Sequence, residues 1–258
     1  MSKLKNPGKL FLIPAPLGEN DPAEVLPGNV LETACRLHCF VVEELRTARR
    51  FLSAYGLRGR IDTLDFHVLN EHTTPEEVEV LLPLFEGQDV GLMSEAGLPA
   101  VADPGATLVA LCHRHGIEVV PLVGPSSLLL ALMASGLNGQ SFAFRGYIPA
   151  KTEERRSALR ELEKQSRTLK QSQILIETPY RNDALLSDML QTLSPATRLC
   201  VAADLTLPTQ FIRTLTVAEW RTRHSGPSTP SLAGSPVISS EAEKSPLGKR
   251  PCVFIILA

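Results

Sequence analysis

Neither Gly-x-Gly-x-x-Gly nor Gly-x-x-x-x-Gly-Lys-Ser/Thr occurs in the 258 residues, which excludes the usual dinucleotide and P-loop cradles. Any nucleotide-like ligand must be gripped in another way. No apolar run approaches membrane-spanning length, and the first residues lack a signal-peptide core. The chain is therefore expected to be cytoplasmic, with no membrane partner. An excess of charge of one sign is also missing: 26 basic and 28 acidic residues leave a net charge of −2, so a nucleic acid would have to be held by a local basic patch. The five cysteines (Cys35, Cys39, Cys112, Cys200, Cys252) are odd in number and scattered, which argues against a disulfide framework. Cys35 and Cys39 stand four apart, as if on one helical face, but no second Cys or His pair completes a zinc set. Buried reduced thiols and no metal are expected.

What is present is an alternation of short apolar runs with longer helical patterns, the mark of an α/β protein. Ten strands are expected: 10–13, 40–43, 65–69, 90–93, 118–122, 142–145, 173–177, 199–202, 211–215 and 252–257. Thr74-Pro75-Glu76-Glu77 combines an N-cap, a proline at the first helical position and a glutamate three after the cap. It predicts a helix running to about Phe85 and stopping at Gly87. The helix opening near Ser126 is apolar on nearly every face, predicting burial between a sheet and another layer, with an end at Gly136. Gly146-Tyr147-Ile148-Pro149 breaks the pattern, so two α/β domains are expected, 1–146 and 147–258. Residues 225–248 are rich in Ser, Pro, Gly and Thr and read as a flexible insertion before a returning strand.

The segment Gly91 to Gly105 carries the most information. An apolar strand stops in small residues (Ser94, Ala96, Gly97), and the helical pattern resumes only after Asp103-Pro104-Gly105. A loop of this kind at the carboxyl end of a strand lets backbone approach a ligand closely. Three more strand ends share the character: Pro14–Asn20, Gly124–Ser127 and Glu177–Arg181. In this order the segments Ser94–Gly105, Val120–Ser126, Gly146–Lys151 and Glu177–Arg181 resemble S-D-A-G-T-P-x-x-S-D-P-G, V-P-x-P-G-P, G-F-x-P-x-K and E-S-P-H-R. These are motifs of the tetrapyrrole methylase family of S-adenosylmethionine-dependent methyltransferases, in its branch acting on small-subunit ribosomal RNA. The resemblance runs from Lys9 to about Arg221.

The resemblance implies two α/β domains with a cofactor cleft between them, a homodimer, S-adenosylmethionine as cofactor and ribosomal RNA ribose as methyl acceptor. By motif position it implies cofactor contacts at Leu17, Ala96, Gly97, Leu98, Val101, Ser126, Ser127, Glu177 and Leu205. Methyl transfer to a hydroxyl or amine also needs a proton acceptor. Val42–Arg46 resembles the family's A-E-D-T-R and Asn70–Thr73 its H-E-H-N, which makes Glu44 and His72 candidates for base or substrate positioning and Arg46 an anchor for an anion. Each has a plainer reading: an acidic helix start with a basic body for Glu44 and Arg46, a surface residue for His72 and helix capping for Ser126 and Ser127, while Asp103 reads equally as turn chemistry or as a ligand contact. Arg155, Arg156, Arg160 and Lys164 read as an RNA-facing stripe or, interleaved with four glutamates, as a solvated ion-paired face. Departures from the family fall on the acceptor side: Leu98 replaces Thr, Asn70 His, Thr73 Asn and Leu207 Lys. The competing functions are methylation of a small molecule such as a tetrapyrrole, and a catalytically silent cofactor-binding module.

Overall fold

The computed structural model describes residues 5–224 and 247–258. They form two compact units, the first reaching Ser126 and the second running from Ser127 to Ala258. The division falls twenty residues before the pattern break at Gly146. The reason is packing: the helix Ser127–Ser135 and the strand Phe142–Phe144 both belong to the second sheet, and Thr214 donates its hydroxyl to the Ser135 carbonyl at 2.7 Å. Of the expected insertion, residues 225–246 lie outside the described residues.

The first unit is a five-stranded parallel sheet made of β1 (Leu10–Leu12), β2 (Cys39–Val42), β3 (Asp65–Val68), β4 (Val90–Met93) and β5 (Val119–Pro121). They lie in the order β3-β2-β4-β1-β5. Alternation along the strands builds a core on each face. Phe40, Val42 and Met93 pack with Val30, Ala34, Phe51 and Leu52, whereas Val41 and Leu92 pack with Val78, Phe85, Leu108 and Leu111. Neighbouring strands β1 and β4 are thus followed by helices on opposite faces, Gly28–Arg36 after β1 and Ala106–His115 after β4. Where two adjacent parallel strands send their chains to opposite faces, a crevice opens at their carboxyl ends.

The second unit carries β6 (Phe142–Phe144), β7 (Ser172–Glu177), β8 (Arg198–Ala203), β9 (Phe211–Thr216) and β10 (Cys252–Leu257) in the order β6-β7-β10-β8-β9. β10 returns antiparallel between β7 and β8, the central place expected of a core strand. Its Phe254 and Ile256 face Leu159, Leu185, Met189 and Trp220.

All ten expected strands form within a residue or two of their predicted ends. Four expectations change. The helix at Thr74 has its reciprocal cap with Glu77 but ends at Glu79, followed by a tight turn Leu82–Phe85, because Pro83 has no N–H to give and its ring crowds the preceding turn. Cys35 and Cys39 share no helical face: Arg36 ends the helix and Cys39 lies in β2. The apolar helix Ser127–Ser135 is covered on one side only, with Met133 77% exposed. Arg155 forms no surface stripe: it is buried on the Asp188 carboxylate, which the half-buried Arg156 also binds. All five cysteines are free thiols, and burial raises Cys39 to about 11 and Cys252 to about 12.

Phe254 sits fully buried at the centre of the second sheet. Phe254→Ala is expected to destabilise this unit by about 3–5 kcal/mol, read from its urea midpoint. A loss below about 1 kcal/mol would contradict the packing described.

Candidate active site

Three strand-end loops of the first unit are fastened to one another. Beyond β1, the Ala15 N–H donates to the Gly97 carbonyl at 2.8 Å, and the Gly97 N–H returns a bond to the Ala15 carbonyl at 3.1 Å. Gly97 has φ +71, and a Cβ there would press on Leu17 at 3.2 Å and on the Pro125 carbonyl at 3.5 Å. A Cβ on Gly124 would lie 2.1 Å from the Pro14 ring, so the β5 loop needs glycine to lie against the β1 loop. The buried Tyr55 hydroxyl donates to the Pro14 carbonyl at 2.9 Å and fixes the first loop from below.

The β4 loop is also strained. Ala100 and Ala102 are left-handed at φ 65 and 66, at a cost of about 1–2 kcal/mol each. Pro99 and Pro104 bias their predecessors Leu98 and Asp103 towards extended backbone, so the chain between them has few ways to run. Ala96 and Val101 are exposed, Leu17 and Leu98 half-buried, and Gly97 buried. The first unit therefore carries five of the expected cofactor residues on two loops tied to each other by the Ala15–Gly97 bonds. Ser126 and Ser127, both half-buried, follow at the junction of the units, and Ser127 opens its helix.

Carboxylates gather at the same edge of the sheet. Glu43 leaves β2 with its N–H on the Met93 carbonyl at 3.1 Å, and its Oε2 accepts from the Glu95 N–H at 3.0 Å. Burial and the charges of Glu95 and Glu71 raise the Glu43 pKa. Asp103, half-buried, is pushed up to about 7, first by burial and then by the charges of Glu43 and Glu95, against a lowering from the Ser94 hydroxyl. Ser94 is 4% exposed, and its Oγ lies near enough to favour the charged carboxylate yet makes no hydrogen bond of normal geometry.

The residues expected to carry the chemistry sit differently. Glu44 is exposed and caps the helix Leu45–Leu52, accepting from the Arg46 N–H at 3.0 Å and the Thr47 N–H at 2.6 Å, bonds that lower its pKa. Arg46 is exposed on the first turn of that helix. His72, its side chain 84% exposed, stands in a turn made by the Asn70 and Thr73 side chains, with Nε2 3.7 Å from Glu71. Glu43 and Asp103 were missed as acid–base candidates. Adjacency to Glu44 hid the first, and Asp-Pro-Gly turn chemistry hid the second.

In the second unit, Glu177 ends β7 with its side chain fully buried. Its Oε1 accepts from Arg181 Nε at 2.9 Å, Arg181 Nη2 at 2.6 Å and the Thr178 N–H at 2.6 Å, while its buried Oε2 has no partner. Leu205 is buried after β8, between the left-handed Asp204 and Thr206. Arg250 Nε and the Thr209 hydroxyl bind Asp204 at 2.7 and 2.8 Å and hold this turn. Among the described residues no His, Cys, Asp and Glu group is arranged to hold a metal ion, and no helix is long and apolar enough to cross a membrane.

A doubly wound parallel sheet with strapped, glycine-dependent loops at its switch point, and a second unit built on a mixed sheet, are of the class of α/β ligand-binding proteins. The model of the Tetrapyrrole (Corrin/Porphyrin) Methylases matches residues 40–220, and the chain belongs to that family of methyltransferases. It is 34% identical to "Ribosomal RNA small subunit methyltransferase I" of Vibrio cholerae, covering 81% of this chain and 69% of that one. It is 33% identical to the protein of that name from Escherichia coli O157:H7, covering 82% and 70%. Its fold is that of the methyltransferase CobJ (TM-score 0.58, 16% identity, 96% and 93% covered). It is also that of a Thermus thermophilus uroporphyrin-III C-methyltransferase complexed with S-adenosylhomocysteine (TM-score 0.53, 16% identity, 97% of each chain covered).

Because the Asp103 carboxyl titrates higher in the folded chain than the ~3.9 of an unfolded one, the native state binds the extra proton between those values. Its contribution to stability is complete below the unfolded pKa and is lost as pH rises through about 7. Stability followed by urea unfolding from pH 4 to 8 should fall less steeply in Asp103→Asn than in the wild type. Parallel curves would show that the carboxyl is not perturbed.

Proposed function

We propose that the protein transfers a methyl group from S-adenosylmethionine to a ribose hydroxyl of small-subunit ribosomal RNA. The observation that carries this reading is the two-way bond between Ala15 and Gly97, made at a left-handed glycine whose Cβ would crowd Leu17 at 3.2 Å. The residues suit the cofactor. Main chain and small side chains at Leu17, Ala96, Gly97, Leu98, Val101, Ser126 and Ser127 form its contacts, with Leu205 as an apolar one. The unpartnered Oε2 of Glu177 accepts from one of its donor groups. When bound, the cofactor supplies a methyl already activated on a positive sulfur. The chain's own work is to hold the acceptor oxygen in line, exclude water and deal with the acceptor's proton.

The RNA acceptor is supported by the names of the two relatives and by charge. Arg46 and Arg50 are exposed a turn apart on the helix Leu45–Leu52, a short basic face of the kind that a near-neutral protein needs to meet phosphates. Arg46 anchors a phosphate, while Glu44 and His72 line the approach and position the RNA. The reading includes a homodimer working in the cytoplasm, supported by the family resemblance and by the reduced thiols.

Incubation with labelled S-adenosylmethionine and undermethylated small ribosomal subunits should place label on a ribose hydroxyl. Label found only on an added porphyrinogen would replace RNA by a small-molecule acceptor. Binding without label on either would leave a silent module. Glu177→Gln should weaken cofactor binding about tenfold or more in calorimetry, the scale of a hydrogen bond to a charged group. Unchanged affinity would remove Glu177 from the site.

A further inference from the structure

Aromatic residues make up only 5% of the chain, three of them tyrosines. Tyr55 is buried and pins a loop of the first unit. The other two, Tyr147 and Tyr180, are 57% and 79% exposed, and both stand at the carboxyl edge of the second sheet. A single exposed ring needs no explanation, but two at one edge do.

Neighbouring strands set them side by side. β6 runs parallel to β7, and the Ile176 N–H of β7 donates to the carbonyl of Gly146, the residue before Tyr147, at 3.1 Å. Tyr180 lies in the turn Pro179–Arg181 just beyond the end of β7. Neither loop is loose. In the first, Ile148 is buried in the core, and Arg155, itself buried on Asp188, donates from Nη1 to the Ala150 carbonyl at 2.6 Å. In the second, Arg181 Nη2 is bound to Glu177 at 2.6 Å, and Asn182 Nδ2 donates to the Arg250 carbonyl at 2.7 Å, which fixes the segment that carries Lys249.

Cations accompany the rings. Lys249 is exposed, makes no ion pair among the described residues, and holds its Nζ 5.2 Å from the centre of the Tyr180 ring. A ring as exposed as Tyr180 keeps the face turned away from the lysine open. Lys151, at the end of the first loop, meets Glu154 at 3.3 Å in solvent, a pair weak enough for a phosphate to replace.

Open aromatic faces on stiff backbone with cations beside them suit unpaired nucleotides, whose bases stack on the rings whatever their sequence while their phosphates meet the cations. A duplex keeps its base faces in its own stack and offers none to a ring. Resting on the methyl-transfer reading above, we propose that Tyr147 and Tyr180 form a stacking platform for single-stranded RNA, with Lys249 and Lys151 meeting its phosphates. Glu177, which that reading gives to the cofactor, ends β7 just before the Tyr180 turn, so the strand is laid down close to the acceptor nucleotide. The rings position the strand and take no part in bond making.

The full chain is tested by two measurements. In anisotropy titrations with a short fluorescein-labelled single-stranded oligoribonucleotide of mixed sequence, Tyr147→Leu and Tyr180→Leu should each weaken binding about tenfold, the scale of one stacked base. Leucine keeps the apolar bulk and removes the flat ring, so Tyr147→Phe and Tyr180→Phe should restore affinity to within about threefold of wild type. Lys249→Gln should reduce the slope of log affinity against log salt by about 0.7, one phosphate contact fewer on a single strand. In turnover with S-adenosylmethionine and undermethylated small subunits, the leucine variants should raise KM for the subunit about tenfold, with S-adenosylmethionine affinity in calorimetry within about twofold of wild type. That split assigns the loss to RNA, since a misfolded unit would lose both. Leucine variants that bind the single strand as tightly as wild type, or a wild type that binds no single strand or prefers the matching duplex, would overturn the proposal. A raised KM with unchanged oligonucleotide binding would also overturn it, by giving the rings to a protein of the subunit. Label on a porphyrinogen and none on RNA would sink the functional reading alone, and the oligonucleotide titrations would still decide the platform.

Discussion

The paired backbone bonds between Ala15 and Gly97 are the constraint on which the rest of the site depends. β1 and β4 are neighbours in a parallel sheet, and their chains leave for helices on opposite faces, so without a tie the two loops would splay. Each bond contributes only about 1 kcal/mol, less than the ~2–4 kcal/mol of strain in the left-handed alanines downstream. The bonds alone therefore do not hold the loop. They succeed because flanking prolines limit the alternatives, Gly105 turns where a Cβ would strike Leu92, and Tyr55 and Gly124 pin the opposing loop at Pro14. Small residues here are a condition of contact between loops as much as an opening for a ligand.

Three carboxylates share one sheet edge, and burial first, with their mutual repulsion added to it, raises the pKa of Glu43 and of Asp103. Methyl transfer to a hydroxyl turns a positive sulfur into a neutral thioether and sets a proton free, and an edge whose half-buried carboxyls hold protons more firmly than usual suits such a change of charge.

How far the sequence could be read depended on whether a feature was local. The ten strands were legible from short apolar runs bounded by breakers, and the Thr74 cap from the reciprocal spacing with Glu77. The helix stop at Pro83 was legible in principle, since a proline ring cannot continue a helix, but the apolar periodicity across it masked the break. The unit boundary was not legible, because Gly146 is a turn of the chain, whereas the boundary depends on which sheet the helix Ser127–Ser135 covers. In the site, the loops could be found from their small residues and the Glu177 segment from its motif. Which of two adjacent glutamates matters could not be found that way. The pairing of Val42 with Met93 turns Glu43 towards Glu95, and the start of the next helix claims Glu44 as its cap. Asp103 acquires its character from burial and from charges up to sixty residues away, neither visible in an Asp-Pro-Gly triplet.

The same geometry bears on how an RNA would be tolerated beside these acids. Phosphates are repelled by carboxylates, yet at physiological salt this repulsion decays over about 8 Å, and of the acids at this edge Glu43 and Asp103 are half-buried while Glu95 is exposed. Arg46 and Arg50 lie a turn apart on the exposed face of the helix that Glu44 caps, whereas Arg60 binds the Cys35 carbonyl and His38 ahead of β2, at the opposite end of the sheet from Glu43. In the proposed reaction a polyanion drawn to the strand ends would meet the Arg46 and Arg50 guanidinium groups beside the exposed Glu44 and Glu95, so a chain of net charge −2 depends on a short basic face rather than on its whole field.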